Sequence, residues 1–403
     1  MSIEMKVDAL EDTFARFIRH QNAALDLLVA DKMATLSEDI DLVAHLASKN
    51  ELMEVMDYGD TIAPAWTWDG TEYNPEMALC HDSDAELEDG ETIHGAYFEW
   101  KNVLPFDAIF DGKEAIHYFD GTESVGDYYF TLGDYFGTYW VEGLNIQFTL
   151  SEVPAAGDQL YIDVVDSTVS PAGRPYYVYA KGSTTVKQQG TVVEGNSGTF
   201  LGELYANAEN GKNNAISRTF YGYNRWSESN IRQWLNSDAP AGEWFTPQNP
   251  WDRTPAELLA KPGFLYGYSK DAAKLFKPTK IVTLAPAIQE ASKGGLDVTY
   301  DRVFLATLWQ NNVYYERFED YHGEVRWNYY KRLLKTAEPL TATACPELVK
   351  NGLGTTTSRK RLLRNARYGS LSALAKVNTN GLISNNAANG FGLYAAPAVF
   401  ISK

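Results

Sequence analysis

Between Val7 and Leu28 the apolar residues Val7, Leu10, Phe14, Phe17, Ala24 and Leu28 fall on heptad a and d positions, and Gln21 interrupts the stripe at an a position. That period predicts an amphipathic helix over residues 7–32 with one face to bury. Two arrangements satisfy it. Copies of the chain can join through a short coiled coil. Alternatively the stripe folds back on a second helix, capped by Ser37 and carrying Ile40, Val43, Leu46 and Ala47. Both hold together if hairpins assemble around an axis.

After Asp57 the period shortens to two. YGDTIAP (58–64), GDYYFTLGDYFGTYWV (126–141), LNIQFTL (144–150) and QLYIDVV (159–165) alternate between turn residues and predict an antiparallel β-sandwich. The acidic run DSDAELEDGE (82–91) lacks EF-hand spacing and reads as a solvated loop. From about residue 167 strands mix with short capped helices. In WSESNIRQWLN (226–236) Ser227 reads as N-cap, with Trp226 and Ile231 as a hydrophobic staple. Ile231, Trp234 and Leu235 then share a buried face, and both tryptophans read as core. In TPAELLAKPG (254–263) Thr254 caps, Pro255 sits at N1, Glu257 completes a capping box and Pro262-Gly263 stops the helix.

KIVTLA (280–285) and DRVFLATLW (301–309) are apolar strands. The segment from Ala373 to Asn378 leads into Asn380-Gly381, a pair suited to positive φ, and the return strand alternates Phe391, Leu393, Ala395, Pro397, Val399 and Ile401. Pro397 suits an edge or a bulge. The expected class is α+β in three units: a helical assembly segment (1–57), a β-sandwich (58–166) and a C-terminal domain (167–403).

Composition narrows the functions. A chain of 403 residues with 44% hydrophobic residues, 10 Trp, 25 Tyr and 18 Phe folds rather than staying disordered. Its formal charge of −18 opposes nucleic-acid binding, which needs cations to neutralise phosphates. Cys80 and Cys345 read as buried structural thiols. The six histidines (20, 45, 81, 94, 117, 322) never take metal-ligand spacing, so neither metal nor cofactor is expected. Elbow, phosphate-loop and dinucleotide motifs are absent. Glu316 with Glu319 or Asp320 has the residue types of a glycosidase pair, but such pairs arise by chance among 53 acidic residues, and the expectation is a protein that is not an enzyme. The N-terminus lacks the basic start and apolar run of a secretory signal, and no segment reaches the roughly 20 apolar residues of a membrane span, so folding in a cytoplasm without membrane insertion is expected.

The last forty residues place Asn365, Asn378, Asn380, Asn385, Asn386 and Asn389 in a strand-like pattern. Asparagine suits strand interiors poorly, so these side chains are expected to face solvent or a partner. Asn, Ser, Tyr and Gly are also the residues that paratopes favour.

YGYNRWSESNIRQWLNSDAPAGEWFTPQNPWDRTP (221–255), PGFLYGY (262–268), KPTKIVT (277–283), YDRVFLATL (300–308) and the RNARYGS…VNTNG…YAAPAVFI ending resemble a family from phages and prophages of gut bacteria. That family carries the DUF6273 domain, and its members look like C-type-lectin-fold target-binding proteins of diversity-generating retroelements. The resemblance covers roughly residues 170–403. YGDTIAPAW and EDGETIHGAYFEWKNVLPFDAIF (88–110) look like the upstream region of such proteins. It implies a variable region at about 364–394, rewritten at template adenines, with Asn365, Tyr368, Ser370, Ser372, Lys376, Asn378, Asn385, Asn386 and Asn389 forming a ligand-contacting face. Many relatives display Tyr and Trp there. This chain displays Asn, Ser and Ala, the pattern of a copy close to an AAC-rich template. The related formylglycine-generating enzymes use a cysteine pair, and Cys345 has no partner nearby in sequence.

The resemblance implies a homo-oligomeric protein on the virion surface, a trimer by first expectation, that binds a bacterial cell-surface protein or glycan. Two alternatives stand beside it: a capsid head-decoration protein held by other virion proteins, and a carbohydrate-active depolymerase.

Overall fold

The computed structural model describes residues 39–115, 117–131, 145–150, 153, 155–161, 175–179, 186–191, 222–248, 252–253, 255–284, 296–318, 323–367 and 373–403. The helix expected over residues 7–32 lies outside them. The first described helix, α1 (Ile40–Ser48), is capped by Asp39 rather than Ser37, since the Asp39 carboxylate accepts the Asp41 and Leu42 N–H groups at 3.1 and 3.0 Å. Its Val43, Ala44 and Ala47 are fully buried.

The described fold is mixed α and β, rich in strands, and its larger sheets are antiparallel. The two larger sheets with strands from the C-terminal half have five and three strands. Their strands are β1 (Thr61–Ile62), β2 (Met77–Glu86), β3 (Thr92–Trp100), β4 (Val303–Leu305), β5 (Arg361–Ala366), β6 (Ala373–Val377), β7 (Ile383–Ala387) and β8 (Pro397–Ile401). The first sheet runs β1-β2-β3-β8-β4, and the second is the meander β5-β6-β7. Val399 stands opposite Phe98 on one side and Val303 on the other. β8 is therefore an interior strand, and all its residues are buried. That explains PAVFI: a strand covered on both faces stays apolar without alternating. Pro397 occupies its first position, opposite Leu305, where a missing N–H is tolerated without an edge.

The first sheet joins residues 61–100 to residues 303–401, across the expected boundary at 166/167. A six-stranded antiparallel sheet crosses that boundary as well, with order His117–Tyr118, Gln159–Tyr161, Pro175–Tyr179, Val186–Thr191, Asn145–Leu150 and Gly126–Thr131. The acidic run is a strand as far as Glu86, and only Leu87–Glu91 makes the turn.

One hydrophobic core collects residues from Val43 to Ile401. At its centre Trp66 stacks on Trp68 at 5.4 Å and meets the edge of Trp100 at 5.2 Å, while its indole N–H donates to the Phe264 carbonyl at 3.1 Å. Gly267 permits this close approach, because a Cβ there would fall 2.4 Å from Trp66 Nε1 and 2.6 Å from the Thr67 carbonyl. Helix α2 (Asn230–Leu235) buries Ile231, Trp234 and Leu235 as its sequence requires. Its cap is Ser229, not Ser227, because Trp226–Glu228 forms a separate 3-10 turn. Thr254 lies outside the described residues. Asn236, at the end of α2, locks the helix to β4 by accepting the Arg302 and Val303 N–H groups at 2.7 and 3.0 Å. Cys80 and Cys345 are buried free thiols. Among the described residues no helix is long and apolar enough to cross a membrane.

Candidate functional site

β5 is built from RLLRNA, and its arginines are buried. Arg361 donates to Glu99 Oε1 and to Asn311 Oδ1 (3.0 Å), while Lys350 Nζ meets Glu99 Oε2 at 2.8 Å and also donates to the Trp100 carbonyl. The Tyr330 hydroxyl donates to Glu99 Oε2. Burial alone would raise the Glu99 pKa, but Arg361 and Lys350 outweigh it and hold the carboxyl below its ordinary value. Burial brings Lys350 down to about 8 against the pull of Glu99. Three residues further along, Arg364 pairs with Glu324 and donates to the Leu305 carbonyl (2.8 Å) and Gln310 Oε1 (3.0 Å). These contacts fix β5 to the core through charge as well as apolar packing.

The hairpin β6–β7 extends from that anchored strand. Asn224, itself buried, donates to the Ala373 carbonyl at 2.8 Å, which ties down the start of β6. The turn is the one the sequence predicts: Gly381 has φ +82°, and its N–H donates to the Asn378 carbonyl. Gly381 also lies so near the Cys345–Pro346 backbone that a Cβ would fall 2.5 Å from Pro346 N. The return strand differs from expectation. It is Ile383–Ala387, and the alternating residues from Phe391 to Ile401 pass through a turn into β8 of the other sheet.

Register sorts the hairpin's side chains. Ala375, Val377 and Ile383 lie with Arg361 on the inner face. On the other face Lys376 stands opposite Ser384, and Leu374 opposite Asn386. Lys376 Nζ donates to Asn386 Oδ1 at 3.2 Å, and Asn378 Nδ2 donates to Ser384 Oγ at 3.0 Å. Lys376, Asn378, Ser384 and Asn386 are each half-buried. Gly390 leaves room for the Asn386 amide, since a Cβ there would fall 1.7 Å from Nδ2. Burial and then the neighbouring Lys360 lower the Lys376 pKa. Beyond the hairpin Phe391 is 70% exposed, and Asp107 accepts the Gly392 N–H at 3.1 Å. The polar side of the hairpin thus combines the Lys376 ammonium, two amides and a hydroxyl.

Residues 196–401 match the family described as Domain of unknown function (DUF6273). The match spans just over half of the chain. The chain belongs to the DUF6273 family. No curated protein and no solved structure matches it. The matched stretch contains β4 to β8 but not β3, the strand beside β8. In this chain the central sheet of the DUF6273 domain is therefore completed by residues upstream of the match.

The expected ligand-contacting residues do not share one surface. Asn365 is 1% exposed, and its Oδ1 accepts the Leu308 N–H at 2.8 Å, so it braces β5 inside the protein. Lys376, Asn378 and Asn386 come together as described. Asn385 is exposed but pairs with Ala375 on the opposite face, and Asn389 lies half-buried in the turn after β7. Tyr368, Ser370 and Ser372 lie outside the described residues, as do Glu319 and Asp320; Glu316 is exposed. Ser384 adds a hydroxyl to this group that the asparagine pattern does not reveal.

A second polar centre is buried near α2. Asp111 accepts the Tyr223 and Asn230 N–H groups at 2.8 and 3.1 Å, and Asn230 Nδ2 bridges to Asp252 Oδ1 at 2.9 Å. Burial, joined by Asp252 and Glu114, pushes Asp111 well up, and burial pushes Asp252 up to about 6. No group of three metal-ligating side chains with suitable geometry occurs among the described residues. An open hollow of about 760 Å³ lies elsewhere, between Pro64–Glu72 and Pro262–Ala272, and draws on none of these groups.

Proposed function

We propose that this protein is a ligand-binding component of a phage virion surface, in which a C-type-lectin-like domain displays the β6–β7 hairpin to a host cell-surface ligand. The observation that carries the reading is the division of labour in that hairpin. Arg361, Ala375, Val377 and Ile383 are buried on one face, and on the other Lys376, Asn378, Ser384 and Asn386 stand half-exposed beside the buried Leu374. Side chains of the displayed kind form adaptable hydrogen bonds, and a rigid backing limits the entropy lost on binding. The resemblance of the ending to retroelement-diversified proteins supports the same reading. A face with few aromatic anchors binds weakly one copy at a time, and a homo-oligomer, a trimer by preference, would raise avidity through effective concentration.

Adsorption of the purified full chain to a panel of gut bacterial cells tests this. The comparison is a variant with Lys376→Ala, Asn378→Ala and Asn386→Ala together, its fold checked by circular dichroism. The expected result is adsorption by the wild type and its loss in the folded variant. Equal adsorption by both, or none by the wild type, overturns the reading.

A further inference from the structure

The charges of this chain are segregated. It carries 53 acidic residues, yet none follows Glu347, and the stretch from Leu348 to Lys403 contains Lys350, Arg359, Lys360, Arg361, Arg364, Arg367, Lys376 and Lys403. Three of these cations are consumed inside the protein, Lys350 and Arg361 by Glu99 and Arg364 by Glu324. Lys403 pairs with Asp41. Lys360 and Lys376 have no such partner: among the described residues no carboxylate forms an ion pair with either.

These two lysines are neighbours. Leu362 stands opposite Lys376 and Arg361 opposite Val377, so the exposed Lys360, directly before Arg361, lies at the end of the ladder beside Lys376. Lys376 is half-buried, held by Asn386, and feels the charge of Lys360. Holding like charges together where water is partly excluded is unfavourable until an anion joins them. Around the pair stand the Asn378 and Asn386 amides and the Ser384 hydroxyl, groups that match sugar hydroxyls.

We infer that the β6–β7 face binds an anionic glycan, with Lys360 and Lys376 gripping a carboxylate or phosphate and the amides and hydroxyl reading the adjoining sugar. This rests on the adhesion reading above and names its ligand class. The interaction is charge-assisted and exposed at one end, so added salt weakens it.

The test measures binding of the full chain to immobilised polygalacturonate, to a glycerol-phosphate teichoic acid and to neutral dextran. Binding to at least one anionic polymer and not to dextran is expected, and the polymer that binds tells carboxylate from phosphate. The double variant Lys360→Gln, Lys376→Gln should bind about tenfold more weakly, as loss of charge-assisted contacts implies, and Lys360→Arg, Lys376→Arg should restore binding. Equal binding to dextran, no binding to either anionic polymer, or an unaffected Gln variant overturns the inference. If wild type and Gln variant adsorb to cells alike, and protease treatment of the cells abolishes adsorption, the ligand is a protein. The adhesion reading then survives while the glycan is excluded. Polymer binding without cell adsorption gives the converse.

Discussion

Replacing Glu99 with Gln should be among the most damaging single changes in this protein. Glu99 is fully buried and receives Arg361, Lys350 and the Tyr330 hydroxyl. Gln keeps the shape but removes the carboxylate paired with both cations and turns an amide donor toward donors. Taking one partner from a buried ion pair costs about 3–5 kcal/mol, because an uncompensated charge remains. Lys350 relieves part of that strain, since its pKa is already brought down to about 8 and it can shed its proton. The lower end of the range, about 3 kcal/mol, is therefore expected, and for a domain of this size it lowers Tm by roughly 6–12 °C. Calorimetric unfolding at pH 7 reads the shift directly. Glu86→Gln is the control: its pair with Lys280 has side chains 41% and 36% exposed. Such a solvent-exposed pair is screened by water, and its loss should leave Tm almost unchanged. A Glu99→Gln protein melting within about 2 °C of the wild type, like the control, would refute the view that charge anchors β5.

The Asp111–Asp252 centre predicts a pH response of opposite habit to ordinary surface carboxylates. Folding raises the Asp252 pKa to about 6, so the folded state binds the proton more tightly than the unfolded chain and stability rises as pH falls through that value. Between pH 7 and 5 the wild type should gain about 1.4 kcal/mol relative to Asp252→Asn, and a flat difference across that window in urea titrations would count against it. Gly381→Ala should cost about 2–4 kcal/mol, combining a left-handed backbone with a clash against Pro346, whereas Gly354→Ala, at φ +72° with open space around it, should cost only about 1 kcal/mol. Equal urea midpoints for the two alanine variants would remove the clash argument.

Local chemistry was readable in the sequence, and long-range pairing was not. The apolar face of α2, the Asn380-Gly381 turn and the strand Thr279–Leu284 follow from periodicity and turn propensity within a dozen residues. The return strand was misread because period-two alternation from Phe391 to Ile401 is genuine but serves a strand whose neighbours are Thr92–Trp100 and Val303–Leu305, remote in sequence. Asn385 and Asn386 occupy a strand despite their poor propensity because β7 is the edge of its three-stranded sheet, its outer side meeting the Thr343 carbonyl through the Ile383 N–H. Asn365 defied the expectation of exposure since its acceptor serves the Leu308 N–H inside the core. The candidate site had a signal that composition over the whole chain conceals. A net charge of −18 hides an ending without a single acidic residue.

That ending also explains how one strand can anchor and display together. Arg361 opens β5 and reaches Glu99, whereas Lys360, the exposed residue just before the strand, lies near Lys376. A slip of one residue would reverse them, stranding Glu99 without its arginine and placing Lys360 in the core. The apolar neighbours enforce register only weakly here, because Leu362 and Leu363 are both buried and a slip exchanges one leucine for another. Charge discriminates where hydrophobicity does not, since Arg361 forks between Glu99 and Asn311 in a way that lysine does not reproduce. The buried Glu99 network thus supplies register for β5, and β5 passes that register to β6 and β7. On the Lys376 face Leu362 and Leu374 are buried and belong to that support, whereas the half-buried Lys376, Asn378, Ser384 and Asn386 are the side chains that can differ with least disturbance to the pairing.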